Sequence, residues 1–199
     1  MKLIVIRHGE TLWNKENRWQ GRTDIELSEE GKEQAKKLAE ELKSYKIDVI
    51  YSSPLKRALD TAKEIQKVHP NAEMIIDNDL IETSFGIFEG HTHGESLKKH
   101  TKFHEERNKD KQNYKGHGGE NLKELDERAQ RALKKIIANN KDALISAHGS
   151  INKHILRKLT KLSHEEISKH RYPNTSFSVF EINGTRIQTE KFNSTEHLN

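Results

Sequence analysis

The chain of 199 residues carries 35 Lys and Arg against 31 Asp and Glu, a formal net charge of +4, and no cysteine. The absence of cysteine removes disulfides, thiolate nucleophiles and Cys-ligated metal centres, and fits a reducing cytoplasm. No apolar run approaches a membrane span, and the positive charges are interspersed with acids, so neither a membrane nor nucleic acid is expected as a partner.

In chain order, Lys2–Ile6 is an apolar, β-branched run that predicts a buried strand, and it breaks into Arg7-His8-Gly9. In an open α/β sheet, residues leaving the carboxyl end of a strand land in the ligand crevice. Arginine beside histidine there suits a phosphoanion held by a fixed cation and approached by an imidazole, and Gly9 lets the backbone come close to a ligand. A surface Arg-His pair is the plain alternative for the tripeptide alone. Helix Glu29–Ser44 follows, with Ser28 as N-cap. Strand Asp48–Tyr51 feeds Ser53-Pro54, where proline fits the first position of a helix over Leu55–Val68.

Met74–Asp77 reads as a third strand, Asp79–His117 as irregular or weakly helical, and Glu120–Ala138 as a helix. Strand Ala143–Ser146 runs into His148-Gly149 and a helix over Ile151–Leu159. Ser176–Ile182 and Arg186–Lys191, joined by Asn183-Gly184, form the clearest hairpin signal. Successive β–helix–β units predict an α/β fold, a mainly parallel sheet flanked by helices on both faces, with the hairpin at the sheet edge. One domain over residues 1–199 is expected, with a lid-like segment at about 83–119.

Two apolar strands each ending in His-Gly bring two imidazoles to one sheet edge if the strands are parallel neighbours. Few of the 12 histidines share that context; His69, His100, His164 and His197 lie in polar surroundings and are expected to be solvated.

Leu3–Asn14, Asn17-Arg-Trp-Gln-Gly-Arg-Thr-Asp24, Leu27-Ser-Glu-Glu-Gly31, Ser52-Ser-Pro-Leu-Lys-Arg-Ala-Leu-Asp-Thr-Ala62 and Ala147-His-Gly149 together strongly resemble the histidine phosphatase superfamily, the phosphoglycerate-mutase-like group. The likeness spans roughly Lys2 to Ile182 with the motifs in the family's order. It is strongest to the short, cofactor-independent phosphatases of phosphoglycerate-mutase type. The resemblance implies that neutral His8 attacks phosphorus and that Glu82, in Leu80-Ile-Glu-Thr-Ser-Phe-Gly-Ile-Phe-Glu-Gly90, protonates the leaving alkoxide. It implies that Arg7, Arg57 and His148, the last as imidazolium, hold the phosphoryl oxygens. Asn14, Gln20, Gly21 and Gly149 complete the phosphate pocket, Glu89 is the runner-up for the acid and is read as structural or as backing the site, and neither metal nor cofactor is invoked. Arg57 sits in the first turn of its helix, so its guanidinium and the helix N-terminus are expected to face the same anion.

Three functions follow: a metal-independent phosphomonoesterase acting on small phosphorylated metabolites, a 2,3-bisphosphoglycerate-dependent phosphoglycerate mutase, or a non-catalytic binding protein of the same fold. The short span from Glu82 to His148 and the short tail after the hairpin favour the phosphatase. In the lid, Lys98, Lys99, Lys102, Arg107 and Lys115 are offset by Glu95, Glu105, Glu106 and Asp110, which reads as a solvated surface. The resemblance leaves room for a homodimer.

Overall fold

In the computed structural model, which describes residues 1–199, strand β1 (Lys2–Arg7) leads to a single helical turn, α1 (Leu12–Lys15), then helix α2 (Glu29–Leu42) and strand β2 (Val49–Ser52). Helix α3 (Lys56–Val68), strand β3 (Glu73–Ile76), helices α4 (His93–Lys99) and α5 (Thr101–Lys109), and helix α6 (Leu122–Ala138) follow. The chain closes with β4 (Ala143–Ala147), α7 (Gly149–Thr160), α8 (His164–Lys169), β5 (Phe177–Asn183) and β6 (Arg186–Ser194). The strands form one sheet in the order β3-β2-β4-β1-β5-β6. The first four run parallel, and the β5–β6 hairpin adds antiparallel at the edge.

Successive strand residues point to opposite faces, so each apolar strand feeds two cores. Leu3, Val5 and Ile145 pack with Ala129, Ile136 and Ile155 of α6 and α7. Ile4, Ile6 and Leu144 pack with Leu38, Leu42 and Ile65 of α2 and α3 on the other face. Ser28 caps α2 as expected, its hydroxyl accepting from the Gly31 N–H at 3.0 Å.

What positions the site is register. β1 and β4 are parallel neighbours with Arg7 opposite Ala147, and the His8 N–H continues the ladder to the Ala147 carbonyl at 3.1 Å. His8 and His148 therefore leave adjacent strands at the same level of the sheet.

The structure departs from the sequence reading in several places. Pro54 precedes the N-cap, Leu55, instead of opening α3. The hairpin turn is Gly184-Thr185, with Asn183 paired to Arg186 inside the ladder; Gly184 takes φ +60°, the first central position of a II′ turn. Helix α8, which the sequence reading left out, starts from a capping box between Ser163 and Glu166. His164 is exposed as expected, but His69, His100 and His197 are partly buried, and burial lowers the pKa of each.

Candidate active site

A cavity of about 790 Å³ opens at the carboxyl ends of the parallel strands and draws on the segments that follow β1, β2, β3 and β4. His8 lines it and is 3% exposed. Its Nδ1 lies 2.7 Å from the Gly9 carbonyl oxygen. A carbonyl can only accept, so Nδ1 carries the proton and the Nε2 lone pair is unclaimed. Burial first, then the charges of Arg57 and Arg7, hold the His8 pKa well below the ordinary imidazole value. The ring is neutral at physiological pH.

Arg57 is buried and Arg7 partly buried, and neither cation has a carboxylate partner. Arg7 donates to the Tyr172 carbonyl, and Arg57 donates to the carbonyls of Gly21 and Thr23 at 2.7 and 2.8 Å. Each keeps its Nε–H without a partner. Burial lowers both; Arg57 falls to about 10 and remains charged. The helix N-terminus expected to assist Arg57 is otherwise engaged, because the Lys56 N–H donates to Asp24 at 2.8 Å.

Glu82 is 8% exposed and lies against the start of α7. Its carboxylate accepts from the backbone N–H groups of Thr83, Ser150 and Ile151 at 2.8, 3.1 and 3.2 Å. These donors fix the side chain in place. A Cβ placed on Gly149 would stand 3.9 Å from both Arg7 Nε and Glu82 Oε2, so Gly149 keeps open the space on which those two groups converge.

His148 differs from expectation. It is fully buried and does not line the cavity; its Nε2 lies 2.7 Å from the Ser53 hydroxyl and its Nδ1 has no partner. Burial, then the charges of Arg57, His8 and Arg7, put its pKa well below the ordinary value. The imidazolium implied by the resemblance is thus a neutral imidazole here.

Asn14, Gln20 and Gly21 line the cavity with Arg7, Arg57, Glu82 and Gly149. Asn14 spends its carbonyl on Thr11 and Asn174, which leaves the amide N–H groups for the cavity. Gly21 takes φ +53° beside the Glu89 carboxylate, where a side chain would collide. Glu89 accepts from the N–H groups of Phe85, Arg22 and Thr23 at 2.9, 3.2 and 3.2 Å and pins the Gly21 loop, a structural part as expected. Gly9 does not line the cavity. Its glycine requirement comes from the Gly31 carbonyl packed against it, not from a ligand.

Several site residues carry no local signal in the sequence. Ser53 orients His148, and Asn174 donates to the His8 carbonyl at 3.0 Å. Arg128 forks onto Glu120 at 2.7 and 2.9 Å and holds the Asp79 and Ile81 carbonyls, fixing the loop that presents Glu82. In the lid, His104, Phe88, His117 and Tyr114 stack in near-parallel sequence, with interplanar angles of 13°, 13° and 11°. Among the lid cations Arg107 alone reaches the cavity. No group of three or more His, Cys, Asp or Glu side chains is placed to hold a metal ion. The arrangement puts a neutral imidazole, two fixed guanidinium groups and a carboxylate around one space, a set suited to moving a phosphoryl group.

A family model described as the histidine phosphatase superfamily (branch 1) matches residues 3–195. Phosphoserine phosphatase 1 of Hydrogenobacter thermophilus is 33% identical over 200 residues, covering 100% of this chain and 94% of that protein. The 2,3-bisphosphoglycerate-dependent phosphoglycerate mutase 2 of Gloeobacter violaceus is 34% identical over 176 residues, 84% of this chain and 79% of that protein. The solved structure of phosphoserine phosphatase in complex with 3-phosphoglyceric acid from Entamoeba histolytica aligns with a TM-score of 0.82 at 33% identity, covering 100% of this chain and 99% of that one.

Proposed function

The chain belongs to the histidine phosphatase superfamily and is a phosphomonoester hydrolase; we propose that it passes the phosphoryl group of a small metabolite to water by way of a phosphohistidine on His8. The observation that carries this reading is the Nδ1–H tautomer of His8, fixed by the Gly9 carbonyl and kept neutral by burial beside Arg57 and Arg7. An imidazole in that state offers Nε2 as a nucleophile without first losing a proton.

In the first step Nε2 bonds to phosphorus as the phosphorus–oxygen ester bond breaks, and Glu82 gives its proton to the departing alkoxide. In the second, Glu82 takes a proton from water, the water oxygen bonds to phosphorus, and the nitrogen–phosphorus bond breaks to return neutral His8. Arg7 and Arg57 meet the charge on the equatorial oxygens, and Asn14 and Gln20 add amide donors without further charge. His148 stands behind the nucleophile, its ring centroid 5.1 Å from that of His8. The segment 83–119 serves as the lid of this site.

The phosphatase relative aligns over nearly the whole of both chains, and the mutase relative over less of each, which favours water as acceptor. No helix is long and apolar enough to cross a membrane, and with the cysteine-free sequence the proposed location is the cytoplasm. The test compares release of phosphate from an aryl phosphate with isomerisation of 3-phosphoglycerate, each with and without 2,3-bisphosphoglycerate and in excess EDTA. Phosphate release that needs no primer and survives EDTA is expected. Primed isomerisation faster by orders of magnitude would replace hydrolase by mutase, and activity restored only by a divalent ion would overturn the metal-free scheme.

A further inference from the structure

The cavity holds more positive charge than one phosphoryl group requires. Beyond Arg7 and Arg57, its wall carries Arg18, Arg107, Lys153 and Arg171, while Glu82 is its one carboxylate. Arg18 is paired with Glu16 and Glu95 at 2.5 and 3.2 Å, and Arg171 is exposed to solvent. Arg107, from α5, and Lys153, from α7, are different: both are half-buried, and neither has a carboxylate within ion-pair distance.

The acids near them are already engaged. Glu106, next to Arg107, accepts from the Tyr114 hydroxyl at 2.8 Å and faces Lys102 at 4.0 Å. Asp126, on the helix packed against α7, is shared by His154, Arg157 and Lys158 at 3.0, 2.8 and 2.7 Å. Lys153 has an aromatic neighbour, its Nζ lying 6.0 Å from the centre of the Tyr172 ring. Burial lowers the pKa of both cations, the mark of charge held out of water without compensation. Half-burying an unpaired cation costs stability, and two on the wall of one cavity leave that cost to be met by something that enters it.

We propose that Arg107 and Lys153 form a second anion subsite, so that the preferred substrates are phosphomonoesters bearing a further anionic group, a carboxylate or a second phosphate, besides the phosphoryl group that is cleaved. This rests on the hydrolase reading of the same cavity. Arg107 is then the one Lys or Arg that the lid brings to the cavity, beside Thr83, Phe85 and His93, while Lys98, Lys99, Lys102 and Lys115 remain outside it.

The experiment uses the full chain and matched pairs of probes. O-phosphoserine is compared with its methyl ester, and butane-1,4-diol bisphosphate with butyl phosphate, alongside p-nitrophenyl phosphate. The readout is the ratio of kcat/KM within each pair. A hydrogen-bonded charge pair corresponds to a ratio of about ten- to a hundredfold in favour of the more anionic member. That preference in the first pair identifies a carboxylate as the second group, in the second pair a phosphate, and either supports the subsite. Arg107→Met and Lys153→Met should each collapse the favoured ratio, with Lys153→Arg restoring it, while melting temperatures show that the variants fold. A wild-type ratio near one in both pairs, with p-nitrophenyl phosphate turned over, overturns the subsite and leaves the hydrolase standing. A ratio unchanged in both Met variants overturns it equally. No turnover of any phosphomonoester overturns the hydrolase reading and the subsite with it.

Discussion

The ring centroids of His8 and His148 stand 5.1 Å apart with their planes inclined at 59°, and both rings lie in the field of the same two arginines. Their parents are adjacent parallel strands, so backbone hydrogen bonding sets this spacing before any side chain is chosen. Two imidazoles so close, buried beside Arg7 and Arg57, cannot both hold protons near neutrality without strong repulsion. Neutral rings are the consequence, so the proposed nucleophile needs no separate base.

A pH profile reads this directly. Protonation of His8 removes the attacking lone pair, so activity falls as pH falls through its pKa. Because burial, Arg57 and Arg7 hold that pKa well below 6.5, the acid limb of kcat/KM should lie well below the position of a free imidazole. Arg57→Met removes one of the lowering charges and should move the limb upward, along with a loss of rate. An acid limb at the ordinary imidazole value in the wild type contradicts the assignment.

Replacing the two histidines should have different outcomes. His8→Ala is expected to abolish turnover and any acid-labile, base-stable phosphoenzyme, while circular dichroism shows a folded chain. His148→Ala should reduce kcat by roughly 10²–10³. Ser53→Ala, which removes the 2.7 Å contact that orients His148 and the 3.3 Å contact from the Leu55 N–H, should cost less than that. A phosphoenzyme persisting in His8→Ala would place the covalent group elsewhere.

Glu82→Gln tests proton donation to the leaving group. With alkyl phosphates, whose alkoxides leave poorly, kcat should drop by about 10²–10⁴. With p-nitrophenyl phosphate, whose leaving group needs little help, the first step should be much less affected, so a burst of nitrophenol ahead of slow hydrolysis is expected. Equal losses on both substrates, with no burst, would show that Glu82 is not the acid.

Stability should depend on pH in a definite direction. Burial lowers the pKa of His117 below 6.5, aided by Arg107 and His104, and lowers those of His8 and His148 further. Above pH 6.5 neither folded nor unfolded chain protonates them, so they add no pH dependence. Below it the unfolded chain takes up protons that the fold refuses, and stability declines as pH falls, by up to about 1.4 kcal/mol per pH unit for each of the fully buried pair. Neither ring nitrogen of His117 has a hydrogen-bond partner, and the ring stacks between Phe88 and Tyr114, so His117→Phe loses no hydrogen bond. Melting temperatures between pH 7 and 5 should fall less steeply in that variant than in the wild type; an equal slope would remove His117 from the account.

Much of this molecule is legible in the chain itself. The β-branched run into Arg7-His8-Gly9, its partner before His148-Gly149, the Ser28 cap and the Gly184 turn are local signals, and alternation along a strand fixes which side chains enter each core. They determine an α/β sheet with two histidines at one edge, and the ordered motifs bring Arg57, Glu82, Asn14, Gln20 and Gly21 to the same crevice. What tertiary structure alone decided is state and partnership. Whether His148 carries a charge depends on how much water and how many cations surround it, and those cations include Arg7, near the opposite end of the chain. Which cation of residues 83–119 faces the cavity depends on how α5 packs, so its seven Lys and Arg residues could not be told apart by composition. The Glu120–Arg128 fork behind the Glu82 loop, the Ser53 contact to His148 and the stacked rings of His104, Phe88, His117 and Tyr114 join segments with no shared periodicity. Desolvation and ion pairing are sums over neighbours in space, and a sequence lists neighbours only along the chain.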